Sequence, residues 1–162
     1  MSDVDFKRLT EILDYNPETG KFTWLINPCK NIKAGTEAGC VSDYRYITIN
    51  RKRYGAHRLA WLYFYKQMPT MQIDHKNGNT LDNRIENLRL ATPMQNGQNR
   101  HNAQKNNAYG KLGLNYDKTK KLWRARIGLD GKRIYLGKFK TQEAAYEAYL
   151  SAKRELHPYG NL

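Results

Sequence analysis

The stretch from Gln72 to Arg100 constrains this chain most, because its turn and cap residues leave little freedom in how it folds. A short strand, Gln72–Asp74, leads into His75 and a turn written Lys76-Asn77-Gly78-Asn79. A second strand is expected over Asn87–Ala91. Thr92-Pro93 then announces a helix, with threonine as N-cap and proline at the first helical position. On that helix Asn96, Asn99 and Arg100 stand at i, i+3 and i+4 and share a face. The expectation is a strand–loop–strand–helix unit whose helix closes back over the strand bearing Asp74 and His75.

Such a unit holds the parts for phosphodiester hydrolysis. That reaction needs a base to activate water, and a cation to neutralise charge on the phosphate and the leaving oxygen. His75 is the natural base, since imidazole titrates near neutral pH. Asp74 and Asn96 supply hard oxygen ligands suited to Mg²⁺ or Mn²⁺, with waters and phosphate filling the remaining positions. Neighbouring strand residues point to opposite faces, so Asp74 and His75 share one ion only if the strand bends, which the glycine turn permits. An isolated Asp-His pair is ordinarily a surface loop or a satisfied polar cluster. Here a Gly turn, an Asn-Leu-Arg run and a capped asparagine helix accompany it. His57, His101 and His157 are read as structural or exposed: one opens a core helix, one lies in a linker, and one precedes Pro158 with no visible partner.

The rest of the chain reads as an α+β frame around this unit. Residues 3–13 form a short helix with Phe6, Leu9, Ile12 and Leu13 on one stripe. Asn16–Gly20 is turn chemistry before a strand at Lys21–Leu25. Tyr44–Ile49 and Arg53–Ala56 make a hairpin turned at Asn50–Lys52, and HRLAWLYFYK at 57–66 is an apolar helix in which Trp61 and Phe64 pack. Residues 101–110 lack apolar periodicity and read as a linker, dividing a domain at 1–100 from one at 111–162.

Charge points to a polyanion. The chain of 162 residues carries +13, and residues 100–162 hold 14 basic against 5 acidic side chains, interleaved with Tyr116, Trp123 and Tyr135. Each phosphate neutralised by such a surface releases condensed counterions, and aromatics beside arginines suit contact with nucleic acid. No apolar run reaches the length of a membrane span, and no signal-peptide h-region is visible. Cys29 and Cys40 lack zinc spacing and fit reduced thiols in a cytoplasm.

The last third reads as three strands and a helix. Strands are expected at Lys111–Tyr116, Leu122–Gly128 and Lys132–Phe139, with Asp130-Gly131 as the hairpin turn. Thr141 caps a helix to about Leu156 whose stripe is Ala145, Ala148, Tyr149, Ala152 and Leu156. Period two puts Trp123, Ala125 and Ile127 on the helix side, and leaves Arg124, Arg126, Arg133 and Tyr135 on the open face.

The segments IDHKNGN at 73–79 and NRIENLRLAT at 83–92, the helix asparagines and the upstream arm HRLAW at 57–61 resemble the HNH motif of phage and intron-encoded homing endonucleases. The resemblance covers residues 54–100 and implies a ββα-metal nuclease domain. It puts the general base at His75 and the loop-bracing asparagine, which orients that histidine, at Asn87. Metal ligands fall at Asp74 and Asn96, with Asn99 as the alternative. LWRARI at 122–127, KRIYLGKF at 132–139 and TQEAAYEAY at 141–149 are similar to the APETALA/ethylene-response-factor DNA-binding domain. That resemblance implies a sheet lying in the major groove and DNA contacts from Asn115, Arg124, Arg126, Arg133 and Tyr135, joined here by Arg100. In strand one KLGLNY replaces the arginine-rich run of the plant pattern.

Together these readings imply a metal-dependent, homing-type endonuclease, with Mg²⁺ or Mn²⁺, that acts on double-stranded DNA in a bacterial host cytoplasm. Whether it nicks as a monomer or cuts both strands as a dimer stays open, as does the role of residues 1–53. The competing class is a non-catalytic DNA-binding regulator with a degenerate HNH unit. RNA as the substrate is a further alternative.

Overall fold

A computed structural model describes residues 4–99, 107 and 109–160, and in it the chain forms two compact units, Met1–Ala91 and Thr92–Leu162. The architecture is mixed α and β. In the first unit, helix α1 (Phe6–Ile12) starts where the Asp5 carboxylate accepts the Arg8 N–H. It stops one residue earlier than its apolar stripe suggests, because Leu13 opens strand β1 (Leu13–Asn16), which pairs antiparallel with β2 (Lys21–Trp24). A meander of β3 (Cys40–Val41), β4 (Arg45–Ile49) and β5 (Lys52–Gly55) follows. Helix α2 (Ala56–Tyr65) ends at Lys66 in the left-handed region. The hairpin of β6 (Gln72–His75) and β7 (Leu88–Ala91) closes the unit. Asn87, expected to open β7, instead ends a 3-10 turn at Ile85–Asn87.

One apolar core joins these pieces. Leu9, Leu13, Phe22, Ile47 and Leu59 are fully buried, and Ile73 and Leu88 of the β6–β7 hairpin belong to the same cluster. Phe64, expected to pack, is half exposed, because the buried stripe of α2 is Ala56, Leu59, Ala60 and Leu62. Residues 4–53 supply most of the apolar cluster that Ile73 and Leu88 join, and thus much of the hydrophobic support of the unit. Removing apolar area from water at about 25 cal/mol per Å² makes that support the main stabilising term.

Gly20 locks the two parts together. It has φ 71°, and a Cβ placed there lies 2.4 Å from the Arg84 backbone nitrogen and 2.5 Å from the Asn83 carbonyl carbon. Gly20→Ala combines left-handed strain with a backbone collision, so a loss of about 3 kcal/mol or more is expected, read as a lower urea midpoint at unchanged m-value.

The second unit contains α3 (Pro93–Gln98), a sheet in the order β10 (Lys132–Phe139), β9 (Leu122–Leu129), β8 (Leu114–Asp117), and helix α4 (Gln142–Leu156) on that sheet. Strand β8 starts three residues later than Lys111, because Gly113 takes φ 73° where the Tyr149 ring leaves no room for a side chain. Ala145 and Ala152 let α4 lie close to Ala125 and Ile127. His157 does find a partner, donating from Nε2 to the Gly128 carbonyl at 2.6 Å.

Candidate active site

Strand pairing places the two residues of the Asp-His step in different surroundings. Asp74 stands opposite Arg89 and His75 opposite Leu88. The Arg89 Nε and one terminal nitrogen donate to Asp74 Oδ2 at 2.8 and 2.7 Å, and the carboxylate is 4% exposed. The His75 ring, also 4% exposed, enters an aromatic layer. Its centroid lies 5.5 Å from that of His57 and 6.0 Å from that of Tyr44.

The loop between the strands is held almost entirely by its own polar side chains. Asn87 accepts the Asn77 N–H at Oδ1 (3.0 Å) and donates to the Asp82 carbonyl (2.8 Å), while its own carbonyl accepts the Lys76 N–H (2.8 Å). Asp82 takes a fork of hydrogen bonds from Arg84, at 2.8 and 2.7 Å, and one from Asn77 at 2.7 Å. The Arg84 hydrogen bonds hold the Asp82 carboxyl at a pKa of about 2. From the first hairpin, the Tyr15 hydroxyl donates to the Asn83 carbonyl at 2.7 Å and the Pro17 carbonyl accepts the Ile85 N–H.

The side chain that meets the histidine is Asn83, whereas Asn87 makes the loop contacts. Asn83 is 1% exposed, and its Oδ1 lies 3.3 Å from His75 Nε2. Its Nδ2 donates to the Leu81 carbonyl at 3.2 Å. That second bond fixes the amide orientation, so Oδ1 accepts and the histidine donates from Nε2. The lone pair of the neutral ring is then at Nδ1. No local pattern marks Asn83 for this role, since the contact closes only when the loop folds back.

His57, read from the sequence as structural or exposed, packs as a structural ring against the site. Tyr44 and His75 flank its ring, and a Cβ on Gly55 would come within 2.6 Å of it. Its Nδ1 is buried without a hydrogen-bond partner among the described residues. Burial, then the neighbouring His75 and Arg58, push its pKa down to about 4. Burial also lowers the pKa of His75, against the opposing pull of Asn83, Asp74 and Asp82.

Both histidines thus fold neutral, and both take up protons on unfolding below pH 6.5. The His57 contribution, about 3 kcal/mol, is complete above that value and is lost as pH falls towards 4; burial makes His75 act in the same direction. Asp82 contributes nothing in this window, because its effect fades only below the ordinary carboxylate pKa. Urea unfolding at pH 7 and pH 4.5 should show this slope, and His57→Gln should flatten it.

Among the described residues, no three His, Cys, Asp or Glu side chains gather to hold a metal ion. Asp74, its carboxylate held by Arg89, is one hard oxygen donor of the kind that Mg²⁺ takes. That ion takes one or two carboxylates and keeps waters or substrate phosphates in its remaining positions. Asn96 and Asn99 belong to the second unit, Asn96 on α3 and Asn99 at its C-cap, downstream of a complete capping box between Thr92 and Gln95. Arg100 and most of the expected linker, residues 101–106 and 108, lie outside the described residues.

In the second unit, the sheet gathers most of the residues assigned to DNA. Asn115 stands opposite Arg124, which stands opposite Lys138, and Arg126 stands opposite Tyr135. Leu114, Ala125 and Ile127 are buried against α4, so this polar set occupies the other face. Tyr135 is 52% exposed and Arg133 is exposed. Arg124 is paired with Asp117, and Lys138 joins the row where a bulge after Tyr135 shifts the register.

Residues 54–98 match the HNH endonuclease family. The chain is also 35% identical over 85 residues to Protein 3.8 of Escherichia phage T7, a match covering 52% of this chain and 69% of that protein. No solved structure matches. No helix among the described residues is long and apolar enough to cross a membrane.

Proposed function

Because this chain belongs to the family of Protein 3.8 of phage T7 and carries an HNH endonuclease domain, we propose that it is a metal-dependent endonuclease cleaving phosphodiester bonds of double-stranded DNA. The observation that carries this reading is the buried His75 ring, whose Nε2 lies 3.3 Å from the Oδ1 of an asparagine that is itself held by the Leu81 carbonyl.

Each residue then has a task. His75 takes the proton from the attacking water at Nδ1, which burial keeps unprotonated at neutral pH. Asn83 holds the ring in that tautomer, and Asn87 holds the loop on which the ring depends. Asp74, set by Arg89, is the assigned carboxylate ligand, and the motif assigns the second ligand to Asn96, with Asn99 as the alternative. A divalent cation, Mg²⁺ or Mn²⁺, supplies the positive charge that offsets charge on the phosphate and leaving oxygen. The second unit is proposed to target the duplex as an APETALA-type module, presenting Asn115, Arg124, Arg126, Arg133 and Tyr135 to the major groove, with Arg100 adding a contact. The setting is a homing-type, phage-encoded enzyme in a bacterial cytoplasm, with one metal site per chain nicking one strand.

Supercoiled plasmid tests the reading. Conversion to open circles in Mg²⁺ and its arrest by EDTA are expected. Retarded mobility without cutting in Mg²⁺ or Mn²⁺ indicates a non-catalytic DNA-binding protein instead.

A further inference from the structure

The outer face of the β3–β4–β5 sheet carries a row of side chains that the cleavage reading does not use. On β4, Ile47 and Ile49 are buried in the core, so Tyr46 and Thr48 face away from it. Arg53 stands opposite Thr48, and its guanidinium lies 3.7 Å from the centroid of the Tyr46 ring. Tyr46 in turn meets Tyr44 at 6.2 Å, and Tyr44 meets His75 at 6.0 Å. A continuous file of four side chains, His75, Tyr44, Tyr46 and Arg53, therefore leads from the candidate base onto this face. At the Tyr46–Arg53 end of the file a groove of about 950 Å³ opens, with Arg8, Arg51, Arg53 and Tyr46 in its walls.

Charge selects the occupant. Residues 45–55 hold Arg45, Arg51, Lys52 and Arg53 and no acid. Glu37, the acidic residue of the groove wall, is already paired with Lys21 at 3.1 Å and Arg45 at 2.8 Å. Asn50 and Arg51 both have positive φ, 50° and 64°, as a tight two-residue hairpin turn requires, so Arg51 sits at the tip of the sheet. A guanidinium seated on an aromatic ring is pre-set to present its N–H edge to a phosphate.

We propose that this face binds the sugar–phosphate backbone of the duplex arm beside the cleaved bond, with Arg51 and Arg53 as its phosphate contacts. The proposal rests on the endonuclease reading and gives residues 1–53 a share in holding the substrate.

The test measures affinity of the full chain, carrying His75→Ala to prevent cutting, for a labelled duplex across a salt series. Arg51→Asn with Arg53→Gln is the working variant, since asparagine tolerates the left-handed turn. It should bind about tenfold more weakly, with a log–log salt slope shallower by about 2, one for each phosphate that the variant no longer neutralises. Lys7→Gln with Lys66→Gln removes the same charge outside the groove and should leave both quantities near their starting values. Arg53→Gln alone should show about half the slope change, and decides the matter should the double variant lose its thermal transition. Equal effects from the two pairs, or none from the arginine pair while plasmid is still cut by the otherwise wild-type chain, overturn this proposal alone. A wild-type chain that neither binds nor cuts duplex DNA overturns the endonuclease reading and this proposal with it.

Discussion

Replacing His75 by alanine is expected to slow Mg²⁺-dependent strand cleavage by about 10²–10⁴-fold, the range that a positioned general base contributes. The loss should fall on kcat, with KM and duplex affinity unchanged, because in the proposed reaction the buried imidazole acts on the reacting water and charged surface groups hold the DNA. The variant also leaves the Asn83 Oδ1 without its partner, at a cost of about 1–3 kcal/mol in stability. Rates are therefore compared at a temperature where thermal unfolding shows both proteins folded. A parallel fall in affinity would place His75 in substrate binding instead of proton transfer.

Substitution of Asn83 should have the next largest effect, and its two variants separate tautomer from charge. Asn83→Leu removes the acceptor from His75 Nε2–H in a site that offers water little access. The ring proton then has no reason to stay on Nε2, and the nitrogen needed as base is protonated in part of the population. A fall of about 10²-fold in kcat is expected, by the same reasoning that makes the wrong tautomer costly in other histidine bases. Asn83→Asp keeps the acceptor, so activity should return at high pH. A carboxylate there favours the imidazolium, so the acid limb of the rate profile should move to higher pH than in wild type. A ¹⁵N spectrum of the imidazole should report Nε2–H in the wild type and in Asn83→Asp, and a mixture in Asn83→Leu. Equal losses from both variants with unchanged spectra would reduce Asn83 to a packing residue.

Local chemistry makes much of this molecule readable from its residues. Thr92-Pro93 and Thr141 cap the helices they announce, and Asp130-Gly131 turns the hairpin between β9 and β10. Period two sorts Ala125 and Ile127 from Arg124 and Arg126 on β9. What stays hidden depends on tertiary closure. Register alone sets Arg89 across from Asp74, and a hairpin signal does not fix register when both strands are short. Asn83 reaches His75 because the polar loop folds on itself, and His57 reaches it because α2 packs beside the hairpin. An apolar helix such as α2 does not reveal which ring is left at its edge, so Phe64 reads as a core residue and yet lies half outside the core. Element ends also move where a glycine with positive φ, as at Gly113, overrides strand propensity.

The proposed cleavage depends on one imidazole that takes a proton from water, and chemical rescue probes that step. Truncating the buried His75 side chain leaves a space of its own shape beside Asn83. Single-turnover plasmid nicking by His75→Ala is measured in Mg²⁺ with rising concentrations of free imidazole, alongside Asp74→Ala treated identically. Imidazole should restore nicking to His75→Ala in a saturable way and do nothing for Asp74→Ala. Nicking by His75→Ala at the wild-type rate, without added imidazole, would rule out proton transfer by His75.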